Sequence, residues 1–203
     1  MADSIELRII DRIKKARRGT IYFTESFLMF GNAKAVSKAL ERLTHKGELK
    51  RIATGLYARP ILDPIIGPVN PPVDAIARAI SKRDRARIIP SGDYALNLMG
   101  LSTQVPLQVV YLTDGSTRNV KIGKRSITFV HTAPKYLTAR GELSGLALQA
   151  LRTLGKNRVD DDEILKIQGF LKNEKKAHLE HDKLLAPVWI QKIFDSVINQ
   201  LKE

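Results

Sequence analysis

The sequence of 203 residues contains no cysteine. Disulfide bonds, thiolate metal ligands and a cysteine nucleophile are therefore excluded, and a reducing compartment, most simply the cytoplasm, is expected. No uninterrupted apolar run approaches the roughly 18 residues that a membrane-spanning helix needs. The N-terminal residues carry acidic side chains and lack the apolar core of a secretion signal, so we expect neither export nor a membrane partner.

Acidic residues are scarce as well. The chain has 21 Asp and Glu against 34 Lys and Arg, which gives a net charge of +13. A charge this large indicates a polyanionic or acidic partner, most commonly nucleic acid, although it does not specify a fold. Residues 1–60 hold 13 Lys and Arg and 6 Asp and Glu, a net +7, whereas residues 61–203 hold 21 and 15, a net +6. Since 43% of the residues are hydrophobic, a buried core is also expected, and the polyanion signal is densest at the N-terminus.

The first sixty residues contain the start and stop signals of several short elements. Ser4 and Asn32 are N-cap residues, and Gly47 is placed to end a helix in the left-handed conformation. The predicted elements are helix 5–16, strand 20–23, helix 25–30, helix 33–46, and strands 49–52 and 56–58. This order is that of a winged helix-turn-helix, which we predict for residues 1–60.

Five prolines between Pro60 and Pro72 predict a semi-rigid linker at residues 61–72, because proline fixes φ and lacks an amide hydrogen. Residues 73–203 then alternate helical and β-prone segments and become helical from Gly141 onward. We therefore predict an α+β protein: an N-terminal winged helix-turn-helix, then a mixed α/β domain with a helical C-terminal tail.

Basic residues form one stripe on the predicted helix 33–46, on the side opposite its apolar residues. The stripe consists of Lys34, Lys38, Arg42 and His45. The hairpin that follows adds Lys50, Arg51 and Thr54 on a ribbon that turns at a glycine. An α-helix fits the major groove of DNA, where Lys and Arg reach the acceptors of guanine, so we predict that the helix reads the groove and the hairpin contacts the adjacent backbone. The alternative is that these charges only solvate the helix, or, for His45, only interact with the helix end.

Two further basic clusters lie in the second half of the sequence. The first consists of Lys82, Arg83, Arg85 and Arg87, and the second of Arg118, Lys121, Lys124 and Arg125. They are either solvated faces or a second anion-binding surface for DNA or for an acidic protein.

The remaining constellations do not indicate catalysis. His178 and His181 lie three apart on a predicted helix, but no third ligand is apparent, so we expect no metal site. The acidic run that begins at Asp160 is typical of a helix N-terminus, where negative charge is favoured. The sequence 123–126 follows no phosphate-loop pattern, and Ser91 is interpreted as a helix cap rather than a nucleophile. We therefore expect no cofactor and no enzymatic activity.

Two segments, "RGTIYFTESF…NAKAVSKALERLTHKGELKRIATGLYARP" and "IIPSGDYALNLMGLSTQVPLQVVYLTDG", resemble the AbiEi family of antitoxins from bacterial type IV toxin–antitoxin systems. The resemblance covers roughly residues 8–135. In that family an N-terminal winged helix binds the promoter of its own operon, and a C-terminal domain neutralises a nucleotidyltransferase toxin. By this resemblance, the recognition helix carries Lys34, Ser37, Lys38 and Arg42, and the wing carries Arg51, Thr54 and Gly55.

The resemblance implies a DNA-binding antitoxin that represses its own promoter and neutralises a cognate toxin. Two alternatives remain open: a winged-helix transcription regulator without a toxin partner, and a nucleic-acid-processing enzyme such as a nuclease. A toxin gene directly adjacent would favour the first interpretation, and Mg²⁺-dependent cleavage of plasmid DNA would favour the enzyme.

Overall fold

The computed structural model describes residues 4–201 and divides into two compact units. The first unit comprises the residues up to Ile80 together with Lys121–Gly123, and the second comprises Ser81–Val120 and the residues from Lys124 onward. Helices and sheets are both present, so the predicted α+β class is confirmed. Within residues 4–201, no helix combines the length and the apolarity that crossing a bilayer would require.

Up to residue 58, the elements of the first unit follow the predicted order. They are α1 (Ile5–Lys15), β1 (Ile21–Phe23), a 3₁₀ helix (Thr24–Phe30), α2 (Ala33–His45), β2 (Lys50–Ala53), β3 (Leu56–Ala58), β4 (Ile61–Asp63), β5 (Gly67–Val69) and α3 (Val73–Asp84), which continues into the second unit. The predicted N-caps are confirmed: the Ser4 hydroxyl accepts from the Leu7 amide at 3.2 Å, and the Asn32 side chain accepts from the Ala35 amide at 2.9 Å. Gly47 follows α2 with φ 74°, as predicted from its sequence position.

The first unit also contains a three-stranded antiparallel sheet of order β1-β3-β2. α1, the 3₁₀ helix and α2 pack on one another around a shared apolar core. The fully buried members of this core are Ile9, Ile13, Phe27, Val36, Leu40 and Leu43. Because the buried residues of α2 recur every three or four positions, they occupy one side of the helix and leave the other side to solvent.

The segment predicted to be a linker, residues 61–72, contains the two-stranded hairpin β4–β5. Its turn is closed by Asp63, whose carboxylate accepts from the amides of Ile66 at 3.0 Å and Ile65 at 2.9 Å, and these bonds lower the pKa of Asp63. Gly67 follows with φ 76°, a conformation that glycine adopts without strain. A two-stranded ribbon has only edge strands, so the proline at position 68 is tolerated there.

The second unit joins a sheet to a set of helices. After the end of α3, its elements are β6 (Ile88–Ser91), α4 (Asp93–Leu98), β7 (Gln108–Thr113), β8 (Arg118–Ile122), β9 (Arg125–His131), a 3₁₀ helix (Pro134–Leu137), α5 (Glu142–Leu154), α6 (Asp161–Leu171), α7 (Lys176–Asp182), a 3₁₀ helix (Lys183–Leu185) and α8 (Val188–Gln200). The sheet has the order β6-β7-β9-β8, with β6 antiparallel and β9 parallel to β7. Ser91, expected as a helix cap, pairs instead with Val110 in this sheet, and Gly92 precedes α4 with φ 60°.

The helices α5 to α8 bury an apolar core between them, so the predicted helical tail is a packed part of the second unit. The fully buried residues of this core include Ala147, Leu151, Ile167, Leu171, Leu179, Ile190, Phe194 and Val197.

Candidate nucleic-acid interface

The exposed side of α2 collects the basic residues that the sequence placed on one stripe. Its buried side consists of Val36, Ala39, Leu40 and Leu43. The exposed side carries Lys34, Ser37, Lys38, Arg42 and His45. Residues three, four and seven positions apart on a helix are neighbours, so these side chains share one surface.

The charges on this surface are mostly unpaired. Among residues 4–201, no hydrogen bond or ion pair is formed by the side chains of Lys34, Lys38 or His45. Arg42 lies at the edge of the surface towards α1, where its Nη1 is 3.9 Å from Glu6 Oε2. Glu6 also pairs with Lys46, just beyond the helix. Lys34 and Lys38 are therefore free to contact a ligand without breaking an existing bond.

The β2–β3 hairpin supplies the other predicted residues. Lys50 lies opposite Ala58 and Arg51 opposite Tyr57, with an irregular register before Ala53. Arg51 is exposed and Lys50 is half-buried.

The tip of this hairpin carries the exposed Thr54, and Gly55 makes the turn with φ 68°. The Thr24 amide donates to the Gly55 carbonyl at 3.0 Å, which holds the tip against the start of the first 3₁₀ helix. The hairpin is thus fixed in place before any ligand binds.

A cleft of about 570 Å³ separates the exposed side of α2 from this hairpin. The residues that line it are Thr24, Ser37, Glu41, Thr44, His45, Arg51, Thr54, Gly55 and Tyr57. Hydroxyl and charged groups predominate, which suits a polar ligand such as a sugar–phosphate backbone.

Several basic residues of α1 are engaged within the first unit. The Arg12 guanidinium donates to the Ser26 carbonyl at 2.9 Å and lies 5.8 Å from the centre of the Phe27 ring. Arg8 donates to the Phe30 carbonyl at 2.5 Å. These charges stabilise the packing of α1 on the 3₁₀ helix, in contrast with the free lysines of α2.

Most of the arginines in the two second-half clusters also have internal partners. Arg83 and Arg118 both pair with Asp84, the last residue of α3, and Arg87 donates to Asp114 at 2.8 Å. The bond from the Arg87 side chain holds the pKa of Asp114 below its ordinary value and outweighs the opposing effect of burial.

Arg118 is packed more deeply than its neighbours. Its guanidinium lies 5.1 Å from the centre of the Phe129 ring. Burial and the nearby charge of Arg83 lower its pKa. The other members of the two clusters are exposed and form no side-chain hydrogen bond or ion pair within the described residues: Lys82, Arg85, Lys121, Lys124 and Arg125.

The buried carboxylate of Asp182 closes the N-terminus of α5. It accepts from the amides of Arg140 at 2.8 Å and Gly141 at 2.9 Å and from the Ser144 hydroxyl. His181 Nδ1 lies 2.7 Å from its other side. Burial alone raises the pKa of Asp182, but the hydrogen bonds outweigh burial and leave the pKa lowered.

Glu174 makes a similar contact nearby, accepting from the Leu143 amide at 3.0 Å and lying 3.0 Å from His178 Nδ1. Each of the two histidines considered as metal ligands is therefore bound to a carboxylate that caps α5. Between residues 4 and 201, no three side chains of His, Asp or Glu converge as a metal ion would require.

The residues expected from the sequence at this site do not include Glu41, Thr24, Thr44 or Tyr57, which line the cleft. The spacing of Glu41, four residues after Ser37 and four before His45, is enough to assign it to the cleft side of α2. Thr24 and Tyr57 carry no such signal, because their position depends on how β3 pairs with its neighbours.

Comparison with known proteins gives one family. The family described as "Family of unknown function (DUF6088)" matches residues 8–179. No curated protein has a significantly similar sequence. Among solved structures, the RV2827C protein from Mycobacterium tuberculosis is similar, with 12% sequence identity, a TM-score of 0.48, and coverage of 96% of this chain and 82% of that one. A likeness at this TM-score carries no argument about function.

Proposed function

The chain belongs to the DUF6088 family, whose function is unknown, and we propose that it binds double-stranded DNA through a winged helix formed by α1 to β3. In this proposal α2 is the recognition helix and the β2–β3 hairpin is the wing. The observation that carries the proposal is the pair of unpaired lysines, Lys34 and Lys38, on the side of α2 that faces away from the core. The same side also carries Ser37 and His45, which line the cleft to Arg51.

The dimensions suit the major groove. α2 has 13 residues and is therefore about 20 Å long. The groove of B-DNA is about 12 Å wide and admits one helix, whose lysine side chains reach the acceptors of guanine. With the helix in the groove, Arg51 and Thr54 of the wing are placed to contact the flanking phosphates, and Lys50 adds positive charge at the base of the wing.

A purely solvated helix surface explains these observations less well. Elsewhere in the first unit, most cations have internal partners, as Arg8, Arg12 and Lys46 illustrate. Lys34 and Lys38 form no hydrogen bond or ion pair within residues 4–201. They share the exposed side of α2 with Ser37 and His45, which face the exposed Arg51 across a polar cleft. Such a concentration of free positive charge favours a polyanion as ligand.

The test is binding of the full chain to a duplex from upstream of its own gene, measured by fluorescence anisotropy. Lys34→Ala with Lys38→Ala is expected to weaken binding at least tenfold, because each lost base contact costs about 1–3 kcal/mol. The matched control is Lys166→Ala with Lys172→Ala, which removes the same charge from exposed positions of the second unit. Both double variants are expected to keep their stability within about 0.5 kcal/mol per substitution.

Equal affinities of the two double variants would contradict the assignment of α2 as the reader. Absence of any duplex binding by the unaltered protein would contradict the proposal as a whole. Cleavage of plasmid DNA on addition of Mg²⁺ would favour a nuclease, in which the winged helix only delivers the substrate.

The resemblance to AbiEi antitoxins supports a biological role for this binding. We propose that the protein represses its own promoter in the cytoplasm and that residues beyond the winged helix neutralise a nucleotidyltransferase toxin. The exposed cations of the second-half clusters, among them Arg85, Lys124 and Arg125, are suited to an acidic partner, because complementary charge speeds association.

Co-expression with an adjacent nucleotidyltransferase gene separates the two activities. The Lys34→Ala, Lys38→Ala variant is expected to restore growth as well as the unaltered protein does, although it binds the promoter more weakly. Loss of growth rescue in this variant would show that the DNA-binding face also contacts the toxin. Failure of the unaltered protein to rescue growth would favour a transcription regulator without that partner.

A further inference from the structure

Glu41 is an acidic residue on the surface that we propose to enter the major groove. It lies seven residues after Lys34, three after Lys38 and four before His45, so it shares their side of α2. It is exposed and lines the cleft to the hairpin, together with Ser37. A carboxylate in this position is adjacent to both proposed groups of DNA contacts.

The fold does not use this carboxylate. Five other acids of the first unit are engaged: Glu6 with Lys46, Asp11 with Lys15, Glu48 with Lys14, Asp74 with Arg78, and Asp63 with two amides. Glu41 forms no hydrogen bond or ion pair with any of residues 4–201, although Lys38 and His45 are its neighbours on the helix.

Binding to the phosphate backbone does not explain the carboxylate either. A negative charge among the contacts repels phosphate and weakens binding to every sequence alike. The residue therefore lowers general affinity for DNA without stabilising the protein. A group that disfavours most ligands while accepting a particular one is a means of achieving specificity.

The chemistry of the major groove identifies what a carboxylate accepts. Cytosine presents only its N4 amino group there, a donor that suits an oxygen acceptor. Adenine presents its N6 donor next to the N7 acceptor, and the partial negative charge of N7 would repel the carboxylate. Guanine presents two acceptors, N7 and O6, and both would repel it. We propose that Glu41 determines sequence specificity by accepting a hydrogen bond from a cytosine amino group; this inference rests on the proposed binding of DNA through α2.

The positions of the neighbouring residues agree with this assignment. Lys38, one turn before Glu41, is a donor suited to the O6 and N7 acceptors of guanine. Lys38, a donor, and Glu41, an acceptor, are therefore adjacent on one side of α2. Contact with a guanine and a nearby cytosine requires such a pair. Ser37, on the cleft side of Glu41, donates or accepts and adds no base preference of its own.

The experiment is selection of bound sequences from a randomised duplex library by the full-length protein, followed by affinity measurements on duplexes that differ at one base pair. The variants are Glu41→Ala and Glu41→Gln. The charge-matched control is Asp11→Asn, which raises the net charge equally from an exposed position on α1. Since Glu41 is exposed and unpartnered, thermal unfolding of all variants is expected to match that of the unaltered protein.

The unaltered protein is expected to prefer cytosine at one position by about 5- to 150-fold, the range for one good base contact. Glu41→Ala is expected to abolish that preference and to bind unrelated duplexes more tightly. Glu41→Gln is expected to shift the preference to adenine, which glutamine reads through N6 and N7. Asp11→Asn is expected to retain cytosine.

Three results would overturn the inference. The first is an unchanged base preference in both Glu41 variants, and the second is uniformly tighter binding in them without any change of preference. In either case DNA binding that depends on Lys34 and Lys38 would still support the proposed function. The third, no binding of any duplex by the unaltered protein, would remove the proposed function and the inference together.

Discussion

Two groups of cationic residues, one on the exposed side of α2 and one from the last turn of α3 onward, differ in how their charges are used. Lys34 and Lys38 on α2 have no partner among the described residues. In the last turn of α3, Arg83 shares the carboxylate of Asp84 with Arg118 of β8. The first group is therefore available to a ligand, whereas the second group contributes partly to folding. Net charges of +7 and +6 for the corresponding parts of the sequence conceal this difference.

The largest effect on stability is expected at Asp182, whose charge is used only for contacts within the protein. Asp182→Ala removes the acceptor of the Arg140 and Gly141 amides and of the Ser144 hydroxyl. The Gly141 amide and the Ser144 hydroxyl are buried, and each buried donor left without a partner costs about 1–3 kcal/mol. The free energy of unfolding is therefore expected to fall by at least about 2 kcal/mol. Urea unfolding followed by the fluorescence of Trp189, the only tryptophan, reports on the second unit.

The control for this variant is Asp161→Ala, at an exposed position in the first turn of α6. It removes the same charge but only a helix-terminal interaction, and a loss below about 1 kcal/mol is expected. Equal losses in the two variants would show that the contacts of Asp182 do not hold α5.

A smaller effect is expected from acid, which removes the charge of Asp182 but keeps its side chain. Its hydrogen bonds outweigh burial and hold the pKa of Asp182 below that in the unfolded chain. The stabilisation is therefore complete above the unfolded pKa, about 3.9, and is lost as the pH falls through the folded pKa. The midpoint of urea unfolding, monitored at Trp189, is expected to decrease below about pH 4.

Asp182→Asn is the comparison for the acid experiment. Its unfolding midpoint at neutral pH is expected to be lower, and its dependence on pH in the acid range weaker, since one shifted carboxylate is gone. An unchanged pH dependence in Asp182→Asn would assign the acid sensitivity to other groups, such as Glu174, whose pKa is lowered by hydrogen bonds that exceed the opposing effect of burial.

These second-unit contacts mark the limit of prediction from sequence. The caps Ser4 and Asn32 and the bounds of α2 follow from local rules, because a helix start needs only one side-chain acceptor in the preceding residue. The link between Asp182 and Gly141 joins residues 41 positions apart. No periodicity or propensity within α7 indicates which helix its carboxylates will cap.

The candidate interface likewise combines residues that the sequence predicts with a cleft that it does not predict. Lys34, Lys38 and Arg42 are found from helical periodicity alone, and Arg51 from its place in a hairpin. The cleft between α2 and the hairpin depends on the pairing of β3 with both β1 and β2. For the same reason the β4–β5 hairpin was missed: its prolines argue against central strands, whereas its stability comes from the turn that Asp63 closes.

The smallest effect is expected at Arg85, an exposed residue of the second group with φ 53°. The amide of Ala86 donates to the Ser81 carbonyl at 2.9 Å, which ends α3 in a form that favours glycine at position 85. Arg85→Gly is expected to stabilise the protein by about 0.5–1 kcal/mol, because it relieves the left-handed conformation.

Lys82→Gly, three residues earlier within α3, is the matched control. It removes the same charge but is expected to destabilise by about 1 kcal/mol, since glycine is a poor helix former. Destabilisation by both substitutions would contradict the assignment of strain to Arg85. Neither is expected to alter binding of DNA.

The salt dependence of duplex binding tests the DNA-binding proposal most directly. Each neutralised phosphate contributes about −0.9 to the slope of log K against log salt concentration. With Arg42, Lys50 and Arg51 at phosphates, the slope for the unaltered protein is expected to be steeper than about −2. It is expected to change little in Lys34→Ala with Lys38→Ala, because these two lysines are proposed to contact bases. A slope near zero for the unaltered protein would contradict binding through the free cations of α2 and its hairpin.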